Sequence, residues 1–131
     1  MSERRRILVA DDEPSIREIL ALQLARLGYE VLTADDGVEA LAVYQDQRPD
    51  LVLLDVMMPR LDGLSACRKI RALEKKSGRR VPILFLTARD STHDKTSAAL
   101  SGGDDFVSKP VSLEDLRDRV EAALSRKRKS R

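Results

Sequence analysis

Short apolar runs and longer stretches with apolar residues at helical spacing alternate along the chain. The runs Ile7 to Ala10, Val31 to Ala34, Leu51 to Leu54, Ile83 to Leu86 and Phe106 to Val107 have the length and side chains of strands. After the first, Ile16, Ile19, Leu20, Leu24 and Leu27 recur at helical spacing behind Pro14, and Gly28 supplies a stop. The same reading predicts helices from Val38 to Gln47, Leu64 to Glu74, about Ser91 to Leu100, and Leu113 onward, the last opened by a capping box of Ser112 and Asp115. Pro49, Gly63 and Gly102-Gly103 punctuate these elements, and Lys75 to Arg80, with Gly78, reads as a polar loop. Strand and helix taking turns five times is the βαβ signature of a doubly wound α/β fold, a parallel sheet covered by helices on both faces. Leu51-Val52-Leu53-Leu54 has no polar alternation, as a central strand buried on both faces requires.

Parallel strands present their C-terminal ends at one edge, where open α/β sheets bind ligands. Asp11 and Asp12 follow the first run, Asp55 the third, Thr87 the fourth and Lys109 the fifth. Neighbouring strands lie about 4.8 Å apart, so acids ending adjacent first and third strands face each other. Two unit charges about 4 Å apart cost about 4 kcal/mol at an effective dielectric near 20. Lys109 alone cannot balance three acids, so a cation is required. Hard oxygen donors and an incomplete cage favour Mg²⁺, which keeps waters and leaves room for phosphate oxygens.

Each residue also has a plainer reading. Asp11-Asp12-Glu13 before Pro14 serves equally well as an acidic helix cap. Thr87 can cap a loop, and Lys109 can be a solvated lysine before Pro110. Asp55 resists such a reading, because an acid directly after four apolar residues is costly to bury without a partner. Four strand ends supplying matching groups at one edge outweigh the separate plain readings.

Composition narrows the class. A chain of 131 residues, 42% hydrophobic and 35% charged with no Trp, suits one domain with an aliphatic core. No apolar stretch reaches the length of a membrane span, and the run after Arg4-Arg5-Arg6 is too short for a signal peptide, so a cytoplasmic location is expected. Cys67 has no second cysteine to pair with and reads as a small core residue; His93 reads as a surface residue. The net charge of +2 hides a basic tail: Arg126, Lys127, Arg128, Lys129 and Arg131 are all positive, and the chain without these five carries −3. A frayed basic helix end accounts for that run. The expected division is a domain over 1–124 and a tail over 125–131.

From Ile7 to about Leu124 the sequence resembles the receiver domain of two-component response regulators. The resemblance is carried by the acid pair in "LVADDEP", the acceptor in "LVLLDVMMPRLDG", the hydroxyl in "LFLTAR" and the lysine in "FVSKP", all present in order. It implies a flavodoxin-like fold with strand order 2-1-3-4-5. It further implies that Asp55 accepts a phosphoryl group from a sensor histidine kinase or phosphotransfer protein. Mg²⁺ would be bound by Asp12, Asp55 and the Met57 backbone carbonyl, with Asp11 acting mostly through water, while Thr87 and Lys109 hydrogen-bond the phosphoryl oxygens. Movement of Thr87 and the aromatic Phe106 would then alter the face of the fourth helix, fifth strand and fifth helix that meets a downstream protein target. The chain would be a signalling domain rather than an enzyme, with at most slow self-phosphorylation and self-dephosphorylation.

Some features depart from the common pattern or sharpen it. Phe106 stands where many receivers have Tyr, and Gly102-Gly103 replaces a more usual glycine-alanine, which is expected to loosen the backbone before the fifth strand. Lys109-Pro110 resembles the position where the family has a cis peptide. Arg89, two residues past Thr87, is a candidate for influencing water access. A haloacid-dehalogenase-like phosphohydrolase would need an acid two residues after Asp55, where Met57 stands. The six glycines form no dinucleotide or P-loop pattern. A phosphate-independent receiver-like scaffold would lack one of the acids or the lysine, and none is lost. The reading preferred is a single-domain regulator acting by protein contact, monomeric or dimerising on phosphorylation, without specific nucleic acid binding; the alternative is a receiver excised from a longer DNA-binding or enzymatic regulator.

Overall fold

In the computed structural model the described residues are 4–87 and 92–129, with side chains described for 4–87 and 95–125. Arg89 and the side chains of His93 and of the basic run from Arg126 lie outside them. Five strands, β1 (Arg6–Ala10), β2 (Glu30–Ala34), β3 (Leu51–Asp55), β4 (Ile83–Thr87) and β5 (Asp105–Ser108), alternate with five helices, α1 (Pro14–Arg26), α2 (Gly37–Gln47), α3 (Gly63–Ser77), α4 (Thr92–Leu100) and α5 (Leu113–Lys129). All strand pairs are parallel, in the order β2-β1-β3-β4-β5. This is the doubly wound arrangement expected from the alternation.

The two-residue period of the strands divides the core in two. Ile7, Val9, Leu51, Leu53, Leu84, Leu86 and Val107 point to the face covered by α1 and α5, through Leu20, Leu24, Leu116 and Val120. Leu8, Ala10, Val52, Leu54, Ile83 and Phe85 point to the face covered by α2, α3 and α4, through Ala40, Tyr44, Ala66, Cys67, Ile70 and Ala98. Strands β3 and β4 are buried at every residue, which is why neither shows polar alternation. Cys67 is a core residue as expected: it is fully buried, its thiol donates to the Ser101 carbonyl at 3.2 Å, and burial pushes its pKa up to about 11.

Three local expectations change. Ile19, counted on the buried stripe of α1, is 55% exposed; Leu20 and Leu24 alone on that helix are fully enclosed, because α1 meets the sheet on a narrow face. Helix α3 continues through Lys75, Lys76 and Ser77 instead of yielding to a loop, with Gly78 at φ 76° ending it and the two lysines beside its exposed carbonyls. The Gly102-Gly103 segment is pinned, not loosened. Gly102 holds φ 100°, its carbonyl accepts from Arg71 Nε at 2.9 Å, and a Cβ on Gly103 would come within 2.6 Å of the Phe85 ring. Ser112 does cap α5, its hydroxyl accepting from the Asp115 N–H at 3.0 Å, while the Asp115 carboxylate turns to Arg119.

Candidate functional site

Strand register places the site. Ala10 pairs with Leu54, so Asp11 emerges beside Asp55; Asp55 pairs with Leu86, so Thr87 follows on the other side; and Thr87 pairs with Ser108, one residue before Lys109. The Lys109 N–H donates to the Thr87 carbonyl at 2.9 Å, and the Lys109–Pro110 peptide is cis, as the resemblance implied.

Asp11 is fully buried, Asp55 is 7% exposed and Asp12 faces solvent. One carboxylate oxygen from each of the three lies within 4.8 Å of the others, so the structure does bring the acids together. The Lys109 ammonium stands 3.1 Å from Asp11 Oδ2 and 3.4 Å from Asp55 Oδ2, shared between two acids. Asp11 Oδ1 accepts from the Glu13 N–H at 3.0 Å, while Glu13, the residue flanking α1, makes no side-chain cap. The acidic triplet is therefore spent on the pocket and on its own loop rather than on capping the helix.

The electrostatics carry the imprint of that crowding. Burial and then the Asp11 charge raise the Asp55 carboxyl from 3.8 to about 6, against the opposing pull of Lys109 and the Met57 N–H. Burial by itself would lower the Lys109 pKa; Asp55 and Asp11 more than offset it, and the ammonium is held above its ordinary value. Thr87 Oγ1 is buried with no hydrogen-bond partner among the described residues, an expensive state for a hydroxyl unless something else is to meet it. Phe106 is half-buried on β5, with Lys95 Nζ 4.8 Å and the Arg119 guanidinium carbon 5.7 Å from its ring centre. A groove of about 330 Å³ between α2 and α3, lined by Tyr44, Arg48 and Arg79 among others, lies away from this edge.

Sequence reasoning missed two residues that touch this edge. Arg17 Nη1 donates to the Asp11 carbonyl at 2.7 Å and pairs with Asp35 at 3.3 Å. Arg60 Nε donates to Asp36 Oδ2 at 2.7 Å, across 24 residues of sequence. Arg17 sits one turn into a helix whose polar face has many candidates, and no local pattern announces Arg60.

Comparison with known proteins agrees with this geometry. The family described as response regulator receiver domain matches residues 7–121. The protein named response regulator MprA from Mycobacterium sp. strain KMS is 50% identical over 121 residues, which are 92% of this chain and 51% of that protein. The chain thus spans about half the length of such relatives. A response regulator of Chloroflexus aurantiacus superposes with a TM-score of 0.87 at 34% identity, covering 94% of this chain and 99% of that one. The chemotaxis protein CheY4 of Vibrio cholerae gives 0.84 at 33% identity, covering 92% and 99%. Among the described residues no helix is long and apolar enough to cross a membrane. With its strand order, its acid cluster and these likenesses, the chain belongs to the response regulator receiver domains, signalling modules of two-component systems.

Proposed function

We propose that Asp55 is the phosphoacceptor, taking a phosphoryl group from a phosphohistidine on a partner kinase or phosphotransfer protein in the cytoplasm. A carboxylate oxygen of Asp55 forms the new O–P bond as the P–N bond to imidazole breaks; the electron pair returns to the imidazole nitrogen, which takes up a proton. Phosphoryl transfer asks a protein chiefly for positioning and charge compensation, and no general base is needed on this side. The observation that carries the reading is the imbalance at the pocket: three carboxylates gathered together, two of them sharing one ammonium, with the Asp55 carboxyl raised to about 6.

The donor set fits Mg²⁺. Carboxylates alone, hard and in excess of cationic charge, with a buried hydroxyl nearby that has no partner among the described residues, match a cation that retains waters and shares phosphate oxygens. Asp12, Asp55 and the Met57 backbone carbonyl would hold it, with Asp11 acting mostly through water. Bound there, Mg²⁺ supplies compensation for the charge on the transferring phosphoryl oxygens.

Thr87 and Lys109 then receive the new oxygens. The Thr87 hydroxyl has no competing partner among the described residues to give up, and Lys109 exchanges part of its pairing with Asp11 and Asp55 for the phosphoryl group. Drawing Thr87 toward Asp55 frees space behind it for Phe106 to swing inward, which changes the α4, β5 and α5 face. A partner surface that prefers the altered face shifts the equilibrium, and phosphorylation and partner binding favour each other reciprocally. Because the relatives are about twice as long, that partner surface belongs either to a further segment of the same polypeptide or to another protein.

The test is incubation with a small-molecule phosphodonor, with and without Mg²⁺, followed by intact mass measurement. One metal-dependent phosphoryl adduct is expected, absent in Asp55→Asn. Labelling of that variant at the wild-type rate would move the acceptor elsewhere.

A further inference from the structure

The turn between β2 and α2 donates no acid to the pocket, yet both acid-bearing loops are fastened to it. On one side, Arg17 holds the Asp11 carbonyl at 2.7 Å and the Asp35 carboxylate at 3.3 Å with the same Nη1. On the other, Arg60, in the loop that follows Asp55 and contains Met57, donates to Asp36 Oδ2 at 2.7 Å. The two anchors are themselves joined. Asp36 Oδ1 accepts from the Glu39 N–H at 2.8 Å, and Glu39 Oε1 accepts from the Asp35 N–H at 2.6 Å.

The loop after Asp55 needs such a hold. Leu61 N–H donates to the Pro59 carbonyl at 2.7 Å, closing a three-residue turn centred on Arg60 with φ 67°, a conformation that strains any residue with a side chain. The same loop presses on the start of α2, where a Cβ at Gly37 would lie 1.9 Å from the Leu61 carbonyl oxygen. Asp36 is almost enclosed while the Arg60 side chain is 62% exposed, so the pair adds little to stability as a surface bridge. Its geometry is better suited to holding a strained loop in place.

We propose that the β2–α2 turn braces the pocket, with Arg17 and Arg60 as positioning residues that fix the spacing of the Asp11–Asp12 loop and the Met57 loop and thereby set the affinity for Mg²⁺. The inference rests on the phosphoacceptor reading of the same pocket. Groups that orient metal ligands without touching the metal commonly change its affinity by about tenfold or more, and Arg60, one step further removed, is expected to act at the low end.

The experiment is an amide NMR titration of the full chain with Mg²⁺, without any phosphodonor, beside urea unfolding in chelator. Arg60→Gly removes the guanidinium and relaxes the turn, Arg60→Lys keeps a cation, and Asp36→Asn removes the charge while retaining a capping side chain. Arg60→Gly and Asp36→Asn should each raise the half-saturating Mg²⁺ concentration about three- to tenfold, and the double variant no further than the larger single effect. Arg60→Lys should stay near wild type, Arg17→Met should weaken binding in the same way, and Arg60→Gly should unfold no earlier than wild type in chelator. Wild-type Mg²⁺ binding in Arg60→Gly and Asp36→Asn, or fully additive effects in the double variant, would overturn the brace alone. A wild-type chain that takes up no Mg²⁺ would overturn the proposed function along with it.

Discussion

Acids cluster at both edges of this sheet, with Glu74 buried at one and Asp11 and Asp55 at the other, and the two clusters have opposite characters. At the edge where β4 and β5 begin, Glu74 and Asp104 are surrounded by donors. Arg71 gives Nη1 to Glu74 and Nη2 to Asp104, both at 2.8 Å; Arg80 also pairs with Asp104; and the Ile83 N–H donates to Asp104 at 2.8 Å. Arg71 still has bonds left for the Gly102 and Val81 carbonyls, at 2.9 and 2.7 Å. At the other edge, Asp11, Asp12 and Asp55 crowd together with one ammonium shared by Asp11 and Asp55, and the Thr87 hydroxyl has no partner among the described residues. The residue types are nearly the same. What separates a structural cluster from a reactive one is whether its charges are already answered.

Removing a cation from the answered cluster should have the largest effect on stability. Arg71→Ala leaves the buried Glu74 carboxylate without its charged partner, takes one of two guanidinium partners from the exposed Asp104 and unties α3 from the loop before β5, a loss of about 3 to 5 kcal/mol in urea unfolding. The fraction that stays folded should accept phosphoryl groups at the wild-type rate, since no bond of Arg71 reaches the acid pocket. Little change in stability would mean that the acids there are held well enough by backbone N–H groups alone.

Removing an acid from the unanswered cluster should do the reverse. The Asp55 carboxyl stands at about 6 against an ordinary 3.8, raised first by burial and then by Asp11. A group whose pKa is higher in the folded state contributes stability that is complete below its unfolded value and lost as pH climbs through the folded one. Two units correspond to about 3 kcal/mol, so in chelator the wild type should weaken by that order between about pH 4 and pH 7. Asp55→Asn has no such proton to lose. It should match the wild type near pH 4, exceed it above pH 6 by up to about 3 kcal/mol, and give up the advantage when Mg²⁺ is added, all readable from denaturant midpoints. A gap independent of pH would assign the effect to packing rather than to charge.

The contrast also explains which parts of the molecule were legible beforehand. Strands β1, β3 and β4 announce themselves because burial on both faces leaves no room for polar residues, and the acids at the ends of β1 and β3 and the threonine at the end of β4 stand out against that background. Asp11, Asp55, Thr87 and Lys109 follow from one inference, that parallel strands end at a common edge. The answered cluster gave no such signal. Arg71, Glu74 and Arg80 look like ordinary polar positions of a helix and a loop, and only tertiary packing brings Asp104 to them from 33 residues beyond Arg71. Arg60 and Asp36 were hidden for the same reason, with the pair resting on a backbone conformation that no sequence pattern marks. Ile19 misled because helical spacing gives the face of an apolar residue but not the width of the surface that covers it.

The smallest of these effects tests the imbalance from its cationic side. Lys109 is the sole positive charge the described residues bring to Asp11 and Asp55, and its ammonium is held above its ordinary pKa by both. Lys109→Ala takes the cation from two buried acids, but the Asp55 carboxyl, already raised to about 6, can take up a proton in place of its lost partner. That escape holds the loss in chelator to about 1 to 2 kcal/mol near pH 7, close to the value of a single charge-assisted hydrogen bond. Mg²⁺ should shrink it further, because a divalent ion answers the same carboxylates. The variant should still be labelled at Asp55, yet the labelled form should bind its partner surface more weakly, since one of the two groups proposed to meet the new charge is gone. If Mg²⁺ left the destabilisation unchanged, the lysine and the metal would not be compensating the same charges, and the contrast between the two edges would lose its electrostatic basis.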